Sequence, residues 1–397
     1  MSETLIRSGV DTGVIVEAIA AVVGAAPRPV PLHEPEFSGN EWTYVKECLD
    51  DGWVSSAGPF VDRFEKALAA RCGTSAAVAT VNGTAALHLA LHLAGVRPND
   101  EVIVPTLTFV ATANAVTYCG AVPHFVDSEL QSLGIDAAAL ERHLRRTVDI
   151  ENGAAVNRQT RRIVRACVPV HVFGHPVDMD ALGRLCGDLN IALIEDATEA
   201  LGSLYRGRPC GGLFRIGVLS FNGNKVVTSG GGGAIVTNDE ELAAHAKHLS
   251  TTAKLPHPWA FHHDETAWNY RLPNINAALG LAQLEQLDTF VAAKRRLAAR
   301  YADRFAGIPG VSFVKEPPDT ASIYWLNAVL LDDDSGVTRD ALLKSSHQAG
   351  FLTRPAWQPM HTLPMFRDAP RAATAIAESI QRRLVNLPSS VRLGLGE

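Results

Sequence analysis

Val218-Leu219-Ser220-Phe221-Asn222-Gly223-Asn224-Lys225, then Ser229-Gly230-Gly231-Gly232-Gly233 and Ala234-Ile235-Val236-Thr237, is the most informative part of the chain. Its two ends are apolar runs of strand character, and the middle is a short glycine-rich connection. A single lysine is therefore held just past the end of a buried strand. Desolvation and nearby cations can remove the proton of such a lysine, which then forms a Schiff base with a carbonyl. A lysine on an exposed turn is the plain alternative, and the rest of the chain has to decide between them.

After a proline-rich connection (Pro27, Pro29, Pro31), strands and helices alternate for about 220 residues. Strands are expected at Ala76–Val81, Glu101–Pro105, Val122–Val126, Ile163–Val172 and Ile191–Ile194. Helices are expected at Ala85–Ala94, ended by Gly95 and Pro98, at Val110–Cys119 and at Asp180–Leu189. Near-continuous apolar strands separated by helices imply an α/β fold, its mainly parallel sheet covered on both faces. Ligands of such sheets bind at the carboxyl ends of the strands. Near Pro273 the pattern changes to one long helix from Asn276 to about Arg304. Short strands (Val311–Val314, Trp325–Leu331) and helices near 339–348 and 372–384 follow. The expected division is an N-terminal helical extension over 1–30, a large domain over 31–272 and a smaller α+β domain over 273–397.

The apolar run from Val14 to Ala26 has the look of a secretory leader, but Glu17 interrupts it, Asp11 precedes it and only Arg7 supplies a basic flank. Ile15, Ala18, Ile19, Val22 and Val23 share one helical face, which predicts an amphipathic helix packed on the body. No apolar run reaches membrane-spanning length. In 397 residues, 47% hydrophobic and 20% charged, there is ample material for a globular core. The net charge of −6 and the lack of a lysine/arginine run argue against nucleic acid or an anionic membrane as partner. The densest basic cluster, Arg158 to Arg165, reads as a solvated loop. Six scattered cysteines, with no CxxC and no Cys/His pair at ligand spacing, suit reduced buried thiols in a cytoplasmic protein.

Two further constellations bear on Lys225. Asn82-Gly83-Thr84 lies between a strand and a helix, where free N–H groups, a glycine and a hydroxyl suit a phosphate; an ordinary helix cap is the alternative. Glu195-Asp196-Ala197-Thr198-Glu199 closes the strand Ile191–Ile194 and puts Asp196 at the carboxyl edge of the sheet. A carboxylate there can hold a proton on a ring nitrogen. Asp196 and Lys225 lie about thirty residues apart, one strand–connection–strand unit. A Schiff-base lysine, a ring-nitrogen partner and a phosphate cradle are the three needs of pyridoxal phosphate.

The chain resembles the DegT/DnrJ/EryC1/StrS sugar aminotransferases, whose architecture is the fold-type-I pyridoxal-phosphate transferase. The resemblance runs from about Pro31 to the C-terminus. It is carried by Phe60-Val61-Asp62-Arg63-Phe64-Glu65, Asn82-Gly83-Thr84-Ala85-Ala86-Leu87-His88, Val102-Ile103-Val104-Pro105-Thr106-Leu107-Thr108-Phe109, Glu195-Asp196-Ala197, Ser220-Phe221, Lys225 and Asn269-Tyr270-Arg271. Within the group it is most similar to LegC-type enzymes of legionaminic-acid pathways, through Asn40-Glu41-Trp42, Trp53-Val54-Ser55-Ser56, Ser220 to Lys225 and Thr251 to Trp259. GDP-perosamine synthases share part of the Asn222–Lys225 signature and are the near neighbour.

The resemblance implies that Lys225 is the Schiff-base lysine and acid/base, that Asp196 pairs with the pyridine nitrogen, and that Gly83, Thr84 and Ser220 hold the phosphate. Phe109 is expected to stack on the ring, and Asn269 to reach the phosphate of a neighbouring subunit's cofactor, which requires a homodimer. Glu199 stands where many relatives carry Gln or His in contact with the cofactor, and a carboxylate there is a departure. Trp53, Ser55, Ser56, Asn224 and His361 are candidates for the substrate. His257, His262 and His263 have no spacing that suits a metal, and no metal is expected.

The resulting reading is an aminotransferase that converts a nucleotide-linked 4-keto-6-deoxyhexose to the 4-amino sugar with L-glutamate as donor, for surface-glycan or nonulosonic-acid sugars such as those of lipopolysaccharide. A GDP-perosamine-synthase-like enzyme is the alternative, and a non-catalytic sensor on the same fold is a rival of another class. A dehydratase of the family usually has His at the lysine position, against which Lys225 speaks.

Overall fold

The structure, a computed structural model, describes residues 11–395. Residues 1–10, which open the expected N-terminal extension and include Arg7, and residues 396–397 lie outside the described residues.

A seven-stranded sheet forms the centre, in the order Ala76–Thr80, Gly233–Thr237, Ile216–Ser220, Ala192–Asp196, Val164–Cys167, Glu101–Pro105, Val122–Val126. Gly233–Thr237 runs antiparallel to both its neighbours, and the other neighbouring pairs are parallel. The strands are apolar along their whole length because helices cover both faces; all five residues of Glu101–Pro105 are buried. The charged exceptions are Glu101, Arg165, Glu195 and Asp196; His124, Asn157 and Thr160 satisfy the Glu101 carboxylate. The helix Gly83–Leu93 is buried over nearly its whole surface, as its run of Ala and Leu requires.

Glu101–Pro105, Val122–Val126 and the helix Arg339–Gln348 match their expected boundaries, and most other elements shift by a few residues. The expected strand Ile163–Val172 is confined to Val164–Cys167, and the chain then turns through Val172–Gly174, with Phe173 at φ 54°. The single long helix expected from Asn276 to Arg304 is two helices, Asn274–Glu285 and Leu287–Phe305. No Pro or Gly marks the break at Gln286 (φ −96°, ψ 0°). The cause is tertiary: Gln283 and Gln286 both donate to Glu41 Oε1, at 2.6 and 2.7 Å, which ties the junction to the helix Glu41–Asp50.

A second, four-stranded sheet contains Val311–Phe313, Asn327–Leu331, Leu384–Leu387 and Arg354–Pro355 in that order. The N-terminal helix Thr12–Val23, capped by Asp11, buries Ile15, Ala18, Ile19, Val22 and Val23, the face expected from sequence. That face packs on Leu297, Ala298 and Tyr301 of the helix Leu287–Phe305 and on Leu342, so the extension adds to the C-terminal region. The helix Asn274–Glu285 packs on Glu41–Asp50 and Pro59–Cys72. The two largest of the four sheets among the described residues are separate, so we propose large and small domains over 31–272 and 273–397, joined by Asn274–Glu285 and by the three-stranded sheet in which Thr320–Ala321 pairs with Leu204–Tyr205.

Candidate active site

The strands Ala192–Asp196 and Ile216–Ser220 are parallel neighbours, with Val218 opposite Asp196. Their carboxyl ends therefore deliver Asp196 and Ser220 to one edge of the sheet. Beyond Ser220 the chain turns tightly, Lys225 N–H donating to Asn222 C=O at 2.9 Å and Ser229 N–H to Phe221 C=O at 3.0 Å. This turn brings Lys225 back over the sheet edge. Asn82, Gly83, Thr84, Phe109, Asp196, Glu199, Ser220, Asn224 and Lys225 all line one cavity of roughly 350 Å³, the size of a small-ligand site.

Backbone builds one end of this cavity. The side chain of Asn82 accepts from Ala85 N–H at 2.8 Å and caps the helix Gly83–Leu93. The N–H groups of Gly83 and Thr84 have no intrahelical acceptor, so they and the helix dipole suit an anion. A Cβ on Gly83 would lie 3.0 Å from Ser220 Cβ, so the glycine lets the loop settle against the strand end. Of the four consecutive glycines, Gly233 bears most directly on this loop: a Cβ there would come within 2.5 Å of the Asn82 carbonyl carbon. The glycine run thus lets the phosphate-type loop lie on the neighbouring strand.

The floor is Asp196, almost wholly buried. Thr112 Oγ1 donates to its Oδ2 at 3.0 Å, and Thr198 Oγ1 to its Oδ1 at 2.7 Å, fixing the carboxylate plane. At the other end Lys225 Nζ lies 3.3 Å from Glu199 Oε1 and 3.9 Å from the centre of the Trp325 ring. Glu199 is buried, and its Oε2 accepts from Phe173 N–H at 2.9 Å. Burial pushes its carboxyl above the usual carboxylate range, and Lys225 opposes that rise. Phe109 lines the cavity with 53% of its surface exposed, a ring placed to stack on a ligand.

These residues fit pyridoxal phosphate: a lysine amine, a buried carboxylate with both oxygens oriented, a helix N-terminus with free N–H groups, and an uncovered aromatic ring in one cavity.

The lining also includes residues given no site role from sequence, among them Thr112, Thr198, Trp325 and Trp357. Thr112 and Thr198 were findable as hydroxyls one helical turn after Phe109 and two residues after Asp196. Trp325 and Trp357 come from the far side of the small-domain region, and no local signal points to them.

Other candidates lie elsewhere. Asn269 is exposed, bridged to Thr251, and is not on this chain's own cavity. Trp53 and Ser55 are exposed, and their carbonyls accept from Asn274. Ser56 lines a separate cleft with Arg271 and Lys247. His361 does not reach the cavity: Nδ1 meets Thr106 Oγ1 at 2.7 Å and Nε2 meets Glu378 Oε1 at 3.3 Å, so both ring nitrogens are engaged in packing the loop. His257 Nδ1 accepts backbone N–H groups from its own loop, and His263 Nδ1 lies against Thr252 C=O. Among the described residues the one group with metal-ligand proximity is His171, Glu195 and Cys210. There Glu195 already accepts from the backbone N–H groups of Gly211 and Leu213, and His171 Nδ1 accepts from Val177 N–H, which leaves Nε2–H to donate to Glu195.

Comparison with known proteins bears on this site. The model of the DegT/DnrJ/EryC1/StrS aminotransferase family matches residues 35–397. A GDP-perosamine synthase of Caulobacter vibrioides is 39% identical over 370 residues, covering 92% of this chain and 94% of the relative. The putative pyridoxal phosphate-dependent aminotransferase EpsN of Bacillus subtilis is 36% identical, with 91% of each chain covered. Among solved structures, Helicobacter pylori PseC, an aminotransferase involved in the biosynthesis of pseudoaminic acid, superposes with a TM-score of 0.81 at 26% identity, covering 90% of this chain and 92% of its own.

Proposed function

The chain belongs to the DegT/DnrJ/EryC1/StrS aminotransferase family, and from that premise we propose that it aminates the C4 ketone of a GDP-linked 4-keto-6-deoxyhexose, with L-glutamate as donor. That it is a sugar aminotransferase dependent on pyridoxal phosphate follows from the family and from the fit of the cavity. The finer reading is supported by the relatives: GDP-perosamine synthases of C. vibrioides and Vibrio cholerae are 39% and 37% identical to it. These relatives favour the second of the two readings raised by the sequence, and the legionaminic-pathway reading gains no support from them.

The observation that carries the reading is the joint placement of Lys225, Asp196 and the Gly83–Thr84 N–H groups in one cavity. When bound, pyridoxal phosphate supplies an electrophilic carbonyl and an electron sink. Among the described residues Lys225 is the one side-chain amine that lines this cavity, so it is the group that attaches and that moves the proton at the reacting carbon. Asp196, held by Thr112 and Thr198, keeps a proton on the ring nitrogen and so strengthens the sink. The N–H groups of Gly83 and Thr84, with Ser220, hold the phosphate, and Phe109 covers the ring. Asn224 fixes its own side chain by accepting from Asn222 at 2.9 Å and faces the same space, suited to a sugar hydroxyl. The net change is transfer of an amino group: glutamate becomes 2-oxoglutarate and the keto-sugar becomes the amino sugar.

A homodimer is part of the proposal. Asn269 stands outside its own cavity, and Trp42, Trp259 and Phe261 are 86%, 81% and 76% exposed, large apolar side chains that contact with a second copy would cover. Six free cysteines suit the cytoplasm, and among the described residues no helix is long and apolar enough to cross a membrane. The test is a panel of GDP- and UDP-linked 4-keto-6-deoxyhexoses, with and without a 2-acetamido group, supplied with glutamate. Amination of the GDP-linked 2-hydroxy sugar well above the others is expected; preference for a UDP-linked 2-acetamido sugar would restore the legionaminic-type reading. Cofactor-loaded protein that neither absorbs in the visible nor responds to glutamate would favour the sensor.

A further inference from the structure

Glu199 stands where the family resemblance places a contact to the cofactor, but its carboxylate is engaged elsewhere. Oε1 meets Lys225 Nζ at 3.3 Å, and Oε2 accepts from Phe173 N–H at 2.9 Å. Phe173 is itself held, because its turn places it at φ 54° and Gly174 C=O accepts from Ser203 Oγ at 2.7 Å and Ser322 Oγ at 2.9 Å. Trp325 completes the arrangement. Its ring lies 3.9 Å from Lys225 Nζ, its Nε1–H donates to Asn224 C=O at 2.7 Å, and its own C=O accepts from Lys294 Nζ at 2.9 Å. Two independent parts of the chain thus hold a carboxylate and an indole face around one amine.

We propose that Glu199 is a positioning residue that holds the free Lys225 ammonium, with Trp325 over it, during the part of the cycle in which the lysine is not covalently attached. An ammonium in a cavity this closed needs an acceptor, and Glu199 Oε1 is the carboxylate oxygen within 4.0 Å of it among the described residues. A carboxylate facing a phenolic ring oxygen would repel it, whereas one facing an ammonium does not. The departure from Gln or His at this position is thereby explained by the lysine. The charged and titratable groups that face this pair are Asp196 on the side of Glu199, and His33 and Lys294 behind Lys225. Burial holds both His33 and Lys294 well below their usual values, and Lys294 and Lys225 add to the effect on His33. Neither offers Lys225 a negative charge, which leaves Glu199 as its close counter-ion.

The inference rests on the assignment of Lys225 in the proposed function, and the experiment separates the two. Borohydride reduction of the pyridoxal-phosphate-loaded protein, followed by peptide mapping, must first place the cofactor on Lys225; if it lies elsewhere, the functional assignment fails. The full-length enzyme is then converted with glutamate to its pyridoxamine form, in which the lysine is free. Acetylation of Lys225 by acetic anhydride is measured by mass spectrometry across pH. Glu199→Gln removes the counter-charge that holds the ammonium, so Lys225 should label roughly tenfold faster at fixed pH. Superimposable profiles for the two proteins would overturn the proposal. A reciprocal measurement needs no folding of that variant: in Lys225→Met, infrared spectra at neutral pH should gain a protonated-carboxyl band that Glu199→Gln in the same background removes. No such band would equally overturn it.

Discussion

The two ends of the cavity reach their chemistry by different means. At the phosphate end the groups are mostly backbone: N–H groups of Gly83 and Thr84 at a helix start, pressed onto a strand by Gly233. At the lysine end they are side chains, Lys225, Glu199 and Trp325, drawn from three separated parts of the chain and oriented by Phe173 N–H and Lys294. A backbone site fails when a bulky atom displaces the loop. A side-chain site fails when a charge or a donor is removed, with the backbone left in place.

The largest effect is therefore expected from Lys225→Ala. Attachment and proton transfer both vanish, and loss of the proton transfer alone costs about 10²–10⁴-fold in rate. The phosphate end is untouched, so the variant should still take up pyridoxal phosphate, without a covalent link. A steady-state assay paired with equilibrium dialysis of the cofactor checks both halves. Loss of cofactor uptake comparable to the loss of rate would mean that the two ends are not independent.

The phosphate end answers to Gly233→Ala. The added Cβ would meet backbone atoms of Asn82 and Gly83 within 2.6 Å, and backbone cannot rotate out of the way as a side chain can. Overpacking of this kind costs about 1–3 kcal/mol, which is roughly a 5- to 150-fold weaker hold on the phosphate if all of it falls on the loop. The expected pattern is a raised cofactor dissociation constant with turnover close to normal at saturation. Gly83→Ala, whose Cβ would meet Ser220 Cβ at 3.0 Å, should be milder.

The same contrast explains what could be read from the sequence. Local patterns carry local geometry, so Asn82-Gly83-Thr84, Asp196 and Lys225 were legible as strand-end residues before any coordinate, and so was the buried face of Thr12–Val23. The partners of the lysine were not legible. Trp325 reaches Lys225 across a hundred residues, and Phe173 meets Glu199 only because the chain turns left-handed after Cys167 instead of continuing the expected strand. The break at Gln286 was hidden for the same reason, because Glu41, far upstream, creates it. The candidates Trp53, Ser55 and Asn269 were named from resemblance, and a single chain leaves them outside its cavity. In the homodimer proposed above, a second subunit would bring them to one.

The smallest expected effect sharpens the lysine end from behind. Lys294 is fully buried, and its Nζ donates to the C=O groups of Trp325 and Ser389 with no carboxylate beside it. Burial holds its ammonium well below the usual lysine range. The unfolded chain therefore binds this proton more tightly than the folded one. Stability should rise with pH from the depressed folded value up to the ordinary lysine value of about 10.4. Lys294→Met keeps the volume, removes that dependence and leaves two buried carbonyls without their donor, each worth about 1–3 kcal/mol, most of which is offset because the burial cost of the amine is also removed. Urea unfolding at pH 7 and pH 9.5 should then find the variant modestly less stable at the lower pH and further behind the native chain at the higher. Loss of the Trp325 anchor should also loosen the indole over Lys225 and shift the pH profile of Lys225 acetylation, while cofactor uptake at the phosphate end stays unchanged. A gap that narrows as pH rises would mean that Lys294 is held as a charge, and that the lysine end is tuned by two buried cations and not by Glu199 alone.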